Sequence, residues 1–351
     1  MSNHDSLPID FDKYIKLTNI SHWIYPIWSI GFIILGTIGN IFSLIIFIRW
    51  INRLSIYIYF TVLCIVNILI INVDITYHYF LPFLIDNEIL IKNLLPITCK
   101  FMFFLTYFLR YLFIWLIVMI NIDRCLYVTE NSLKLILCRQ QSANIICIIL
   151  IIFSFFANFH FLIFFNDTII TETLPKNQCV LENFFYYHCQ SSNRHYQYFL
   201  KTIWPIYNLI IFAIMPILIM FICFILIIRS VYLTRQNKFV YDKRHSRISS
   251  IIPQNDRDRL CSIAKILVCL DLLFPMTVFP ILFAQIYINY NPPKTCLNIG
   301  IINLIFSIGF SISFIKNTFA FLIFYCTTRQ FRRVFSALIR CKKTLAYSQT
   351  R

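Results

Sequence analysis

The sequence predicts an all-α membrane protein: a seven-transmembrane helix bundle followed by a short amphipathic C-terminal helix. Three observations predict it. The 351-residue chain is 59% hydrophobic, 13% charged and holds five glycines, so its apolar surface is too large for a water-soluble core. Seven apolar runs are each long enough to cross a bilayer. The basic residues behind the net charge of +16 gather between alternate runs. That excess invites a nucleic-acid reading, but no RNA- or DNA-binding motif accompanies it.

Residues 1–23 are polar and mixed in charge, and form an expected extracellular N-terminus. They lack a basic start, a short apolar region and a small-residue cleavage site, so no cleavable signal peptide is expected. The first span serves as insertion signal. The spans fall at about 24–48, 56–85, 100–122, 143–165, 198–228, 260–288 and 299–325. They make residues 24–325 the transmembrane domain, and no internal repeat or soluble domain interrupts it. Pro82, Pro205, Pro216, Pro275 and Pro280 lie in or near spans, where membrane helices tolerate kinks.

Seven spans put the termini on opposite sides. The loops near 50–55, 124–141 and 229–259, with the tail after Tyr325, carry about twenty of the 31 Lys/Arg, against about eight on the other side. By the positive-inside rule that face is cytoplasmic and the N-terminus is outside. The sequons at Asn19 and Asn166 fall on the outer side, as glycosylation requires. The loop 229–259, with Ser246, Ser249 and Ser250 among its basic residues, reads as a solvated linker drawn to anionic lipid. Residues 326–351 form the cytoplasmic tail. Within it Phe331, Val334, Phe335 and Leu338 recur at helical spacing with arginines on other faces, a helix lying on the inner leaflet. Cys326 or Cys341 is a candidate for palmitate or remains a plain thiol.

The third span opens at Cys99 and closes 25 residues later on Asp123-Arg124. That interval covers about 38 Å as a helix, more than a hydrocarbon core of about 30 Å. This stretch resembles the third helix of rhodopsin-like G-protein-coupled receptors, with Cys125 in place of the motif's tyrosine. The resemblance extends over about residues 24–340. It takes in Gly39-Asn40 of the first span, and Leu63 to Asn67 of the second, where Asn67 stands for the family's aspartate. It continues through the kink prolines Pro216 and Pro280 to Asn317 and Tyr325 of the last span, where Phe321-Leu322 replaces Asn-Pro. The nearest kind is the invertebrate FMRFamide-like neuropeptide receptor. Two family tryptophans are replaced, with Ile151 and Val278 near their places.

The resemblance implies signal transduction across the plasma membrane, with Arg124 reaching a heterotrimeric G protein and Asp123 restraining it at rest. The plain alternative is an arginine snorkelling at a membrane edge. It also implies Asn40, Asn67, Asn317 and Tyr325 as polar packing residues between helices. A disulfide would join Cys99 to Cys189, with Cys179 the alternative, and Cys179 to Cys296 is a candidate second bridge. The family's sodium site loses its carboxylate at Asn67, so no sodium dependence is expected.

Asp74, Arg110 and Lys316 are charges set within apolar spans, where such residues face the bundle interior or a cavity. One reading makes them a ligand pocket of net charge about +1, suited to an acidic group or a peptide C-terminus. The other makes them a mutually neutralised structural cluster. Thr106, eighteen residues before Arg124, stands where amine receptors place an aspartate, which argues against a monoamine. Lys316 sits at the wrong spacing for a retinal lysine. A seven-span transporter or channel is the alternative function, against which the glycine count and missing repeats argue. A receptor that no longer signals is another. No catalytic motif, metal site or cofactor is expected.

Overall fold

The computed structural model describes residues 7–52, 54–80, 88–129, 133–164, 191, 193–244, 254–291, 293 and 295–340. Helix α1 runs over Leu7–Trp50, and α2 over Ser55–Leu69 with π-type turns continuing through Ile70–Phe80. Helix α3 covers Glu88–Val128. Helix α4 is Gln140–Asn158, continued by His160–Phe164. Helix α5 is assembled from Arg194–Tyr198 through Met215–Arg244, α6 spans Gln254–Tyr290, and α7 is Cys296–Thr318 followed by Ala320–Thr327. Helix α8 is Arg329–Ile339. Seven of these elements hold spans long and apolar enough to cross a membrane.

Helix α3 is the central pillar. Its span is 67% buried, against 28% for that of α4, and it packs against α2, α4 and α5. Helix α4 instead exposes Ile145, Ile148, Ile149, Ile152 and Phe156, a continuous apolar side of the kind that faces lipid. Helix α1 packs most extensively on α7, and α6 closes against α7.

The prolines act locally. Phe199–Ile203 is π-helical just before Trp204-Pro205, and Leu209–Ile214 is π-helical just before Met215-Pro216. A proline has no N–H to give and its ring crowds the preceding turn, so the backbone widens there to hydrogen bonds five residues apart. Pro280 and Pro275 both lie inside α6.

Two differences from the sequence reading stand out. The polar N-terminal stretch is helical from Leu7 onward, carrying a Lys16–Asp12 pair at 2.9 Å. Its Tyr14 and Leu17 back onto Gly300 at the start of α7, where an added Cβ would meet Tyr14 Cα and Leu17 Cβ at 3.3 Å. The seventh run is not one helix. It breaks at Phe319 (φ −90°, ψ 7°), between Thr318 and Ala320. Helix α8 buries Phe331 among Phe47, Trp50, Phe321 and Phe324, while Arg332 Nη1 donates to the Tyr325 and Cys326 carbonyls at 2.9 and 2.8 Å. Those carbonyls end the α7 segment and have no helical donor, so an arginine completes them.

Gly39 is required by the α1–α7 contact. A Cβ there would stand 2.9 Å from Phe321 Cβ, which belongs to the rigid stem of its side chain. We expect Gly39→Val to lower stability by about 1–3 kcal/mol through overpacking. A thermal melt in detergent checks it, and an unchanged midpoint would contradict the close approach.

Candidate functional site

Three layers of polar side chains cross the apolar bundle. In the layer nearest the Cys99 end of α3, Thr106 and Arg110 lie one helical turn apart and face Asp74 of α2. Arg110 donates from Nε and Nη2 to Asp74 Oδ2 at 3.0 and 2.6 Å, and the Thr106 hydroxyl donates to Oδ1 at 3.0 Å. Asp74 is 1% exposed. Both its oxygens are therefore occupied, as a carboxylate held in low dielectric demands. The Arg110 guanidinium lies 5.9 and 6.0 Å from the Phe310 and Phe314 ring centres of α7.

Lys316 of α7 belongs to the same layer and lies within electrostatic reach of Arg110 and Asp74. Its Nζ donates to the Ser313 carbonyl at 2.8 Å and sits 5.6 Å from the Phe113 ring centre. Asp74 and Arg110 thus form an ion pair. Lys316 enters no ion pair among the described residues.

The middle layer is a knot of three buried amides joining α1, α2 and α7. Asn40 Nδ2 donates to the Asn317 carbonyl at 3.0 Å, Asn67 Nδ2 to Asn40 Oδ1 at 3.1 Å, and Asn317 Nδ2 to Asn67 Oδ1 at 2.9 Å. The Asn40 and Asn67 amides each give and take, while Asn317 gives from its amide and takes on its backbone carbonyl, which offsets the cost of burying them. Tyr325 stacks instead on Phe321 and meets Phe335 edge-on, packing through its ring. Asn67→Leu should destabilise by about 1–2 kcal/mol, toward the upper end of values for buried membrane hydrogen bonds, because it breaks both of its bonds to α1 and α7. Denaturant unfolding in micelles measures this, and no loss would show that the knot carries little stability.

At the other end of α3, Arg124 folds back onto Asp123. Its Nε donates to Asp123 Oδ2 at 2.9 Å and Nη2 bonds the same oxygen. The Ser55 hydroxyl at the start of α2 donates to Asp123 Oδ1 at 2.7 Å, and Arg124 lies 4.8 Å from the Tyr127 ring centre. Arg124 is 2% exposed, so it does not snorkel. Its buried Nη1 has no hydrogen-bond partner, and neither has the Tyr59 hydroxyl.

Several sequence-derived sites lie outside the described residues: Asn166, Cys179 and Cys189, with the side chain of Cys99. Cys296 is held in a disulfide. Asn19 is exposed, whereas Ser21 of its sequon is buried and bonded to the Thr18 carbonyl at 2.7 Å. Pro216 stands in α5 and Pro280 in α6. Among the described residues no group of His, Cys, Asp and Glu could hold a metal ion.

Sequence reasoning missed two polar pairs. Asp271 lies in the middle of α6, and Asn121 one turn before Arg124; Asn121 Nδ2 donates to Asp271 Oδ1 at 2.9 Å. The signal was present, since Asp271 is an acid inside an apolar run no less than Asp74 is. Tyr111 of α3 likewise reaches Asn208 of α5, its hydroxyl donating to Oδ1 at 2.6 Å. No protein-family model matches the chain, and no curated protein matches it in sequence.

Proposed function

We propose that this multi-pass membrane protein is a receptor that takes an extracellular peptide-like ligand into its bundle and activates a heterotrimeric G protein at the Arg124 end. The observation that supports this most is Arg124 itself: buried at the end of the central helix, held by Asp123, with Nη1 left over. A cation stored in this way gains an acceptor when neighbouring helices part, so a partner protein that supplies one stabilises the open arrangement. The ligand half of the reading rests on Lys316. With Asp74 and Arg110 satisfying each other, the ammonium is the group that favours an anionic terminus.

On this reading the protein is not an enzyme, needs no cofactor and lies in the plasma membrane, N-terminus outside and C-terminus in the cytoplasm. The ligand half is tested with a library of short peptides, each made as free acid and as C-terminal amide, competed on cells displaying the protein. The expected result is a free-acid preference that falls at least tenfold in Lys316→Gln, with Arg110→Gln also reduced. The same preference in wild type and both variants would overturn the pocket. Peptide-driven solute flux or current without a G protein would favour a transporter or channel.

A further inference from the structure

A cavity of about 240 Å³ opens between α3, α5 and α6, in the half of the bundle that holds Arg124. Its walls are apolar, chiefly Phe224, Ile227, Leu267 and Val268, and its mouth is flanked by the exposed Ile228 and Tyr232. The polar side chains on it are Asn121 and Asp271, with Tyr232 at the mouth. Both are incompletely used: Asp271 Oδ1 accepts from Asn121 Nδ2, while Asp271 Oδ2 and Asn121 Oδ1, both buried, have no partner. Asn121 is fully buried, at 0% exposure. Elsewhere in the bundle the intramembrane carboxylates, Asp74 and Asp123, each have both oxygens hydrogen-bonded. Asp271 is the exception among the described aspartates of the spans, and the empty volume lies against it.

We propose that this cavity is a binding site for a small amphiphilic amine, whose ammonium pairs with Asp271 Oδ2 and donates to Asn121 Oδ1 while its compact apolar body fills the space between α5 and α6. Three features select that ligand. A carboxylate with one bare oxygen in an apolar wall calls for a cation, because an amide neighbour supplies a donor but no counter-charge. The adjacent Asn121 oxygen can take only a donor, and an ammonium carries three. The volume sits just below the range of about 300–1,000 Å³ for small-molecule pockets, which excludes a peptide and admits a single ring or cage. The α3 and α6 backbones make almost no direct contact among the described residues, so side chains alone bridge them here. The site is separate from the Asp74, Arg110 and Lys316 layer and does not depend on the receptor reading.

The test uses the full chain in phosphatidylcholine nanodiscs, whose headgroup has no primary amine. Adamantylamine and phenethylamine are titrated against 1-adamantanol and 2-phenylethanol, which match them in shape but carry no charge. Binding is read by ligand-observed NMR and by the shift in melting temperature. We expect both amines to bind at sub-millimolar concentration and the alcohols at least tenfold more weakly. Asp271→Asn, which keeps shape and the Asn121 bond, should erase the amine advantage while still melting cooperatively. Val268→Trp, which fills the cavity, should abolish binding of amine and alcohol together. Amines binding wild type and Asp271→Asn alike, alcohols binding as well as amines, or no binding to wild type at millimolar concentration would each overturn the proposal. None of these readouts involves peptide or G protein, so failure here is distinct from failure of the receptor reading.

Discussion

Asp74→Ala is expected to lower stability by about 3–5 kcal/mol, the cost of breaking a buried ion pair by removing one partner. Arg110 loses the oxygen that accepts two of its bonds, and Thr106 loses its acceptor. The Arg110 side chain retains 21% exposure, which places the loss toward the lower end. Removing both charges as Asp74→Leu with Arg110→Met should recover most of the stability, since paired burial of charge gains little over apolar packing. A double-mutant cycle from unfolding midpoints in micelles measures the coupling. Single variants as stable as wild type would show the pair to be inert.

The second large effect is expected at Asp123→Ala. Asp123 and Arg124 are each about 2% exposed, so the arginine would lose its counter-charge with no route to water other than moving out of the bundle. A destabilisation of about 3–5 kcal/mol follows from the same accounting. On the receptor reading it comes with a gain. The released guanidinium populates the open arrangement without ligand, and basal nucleotide exchange rises several-fold. Ser55→Ala removes only the hydroxyl that donates to Asp123 Oδ1 and should cost about 1–2 kcal/mol. Equal basal exchange in wild type and Asp123→Ala would mean that Asp123 does not restrain Arg124.

The bundle was legible because a bilayer imposes one simple demand. Each span needs some twenty apolar residues, and the seven runs stand in the helices at positions close to those expected. Asp74, Arg110 and Lys316 were legible for the converse reason, since a charge amid such residues must be accommodated. Which charges satisfy one another was not legible. Helical spacing puts Thr106 and Arg110 on one face, but only the packing of α2 beside α3 brings them to Asp74. Asp271 stands in the sixth run as plainly as Asp74 does in the second, but what it pairs with depends on Asn121, 150 residues away. The helical N-terminal extension was hidden as well: its polar composition reads as a tail, and its order rests on the contact with Gly300 of α7. The break at Phe319 has no proline or glycine to announce it.

The most direct test of the account is nucleotide exchange on a panel of G proteins, with the protein in membranes, a neuropeptide library as challenge and Arg124→Ala alongside. Exchange that depends on a peptide and disappears in Arg124→Ala is the predicted result. Peptide-dependent exchange that survives Arg124→Ala undiminished would contradict the role given to the buried arginine. No exchange with any peptide, from folded protein at the cell surface, would contradict signalling and leave the seven-helix bundle as it stands.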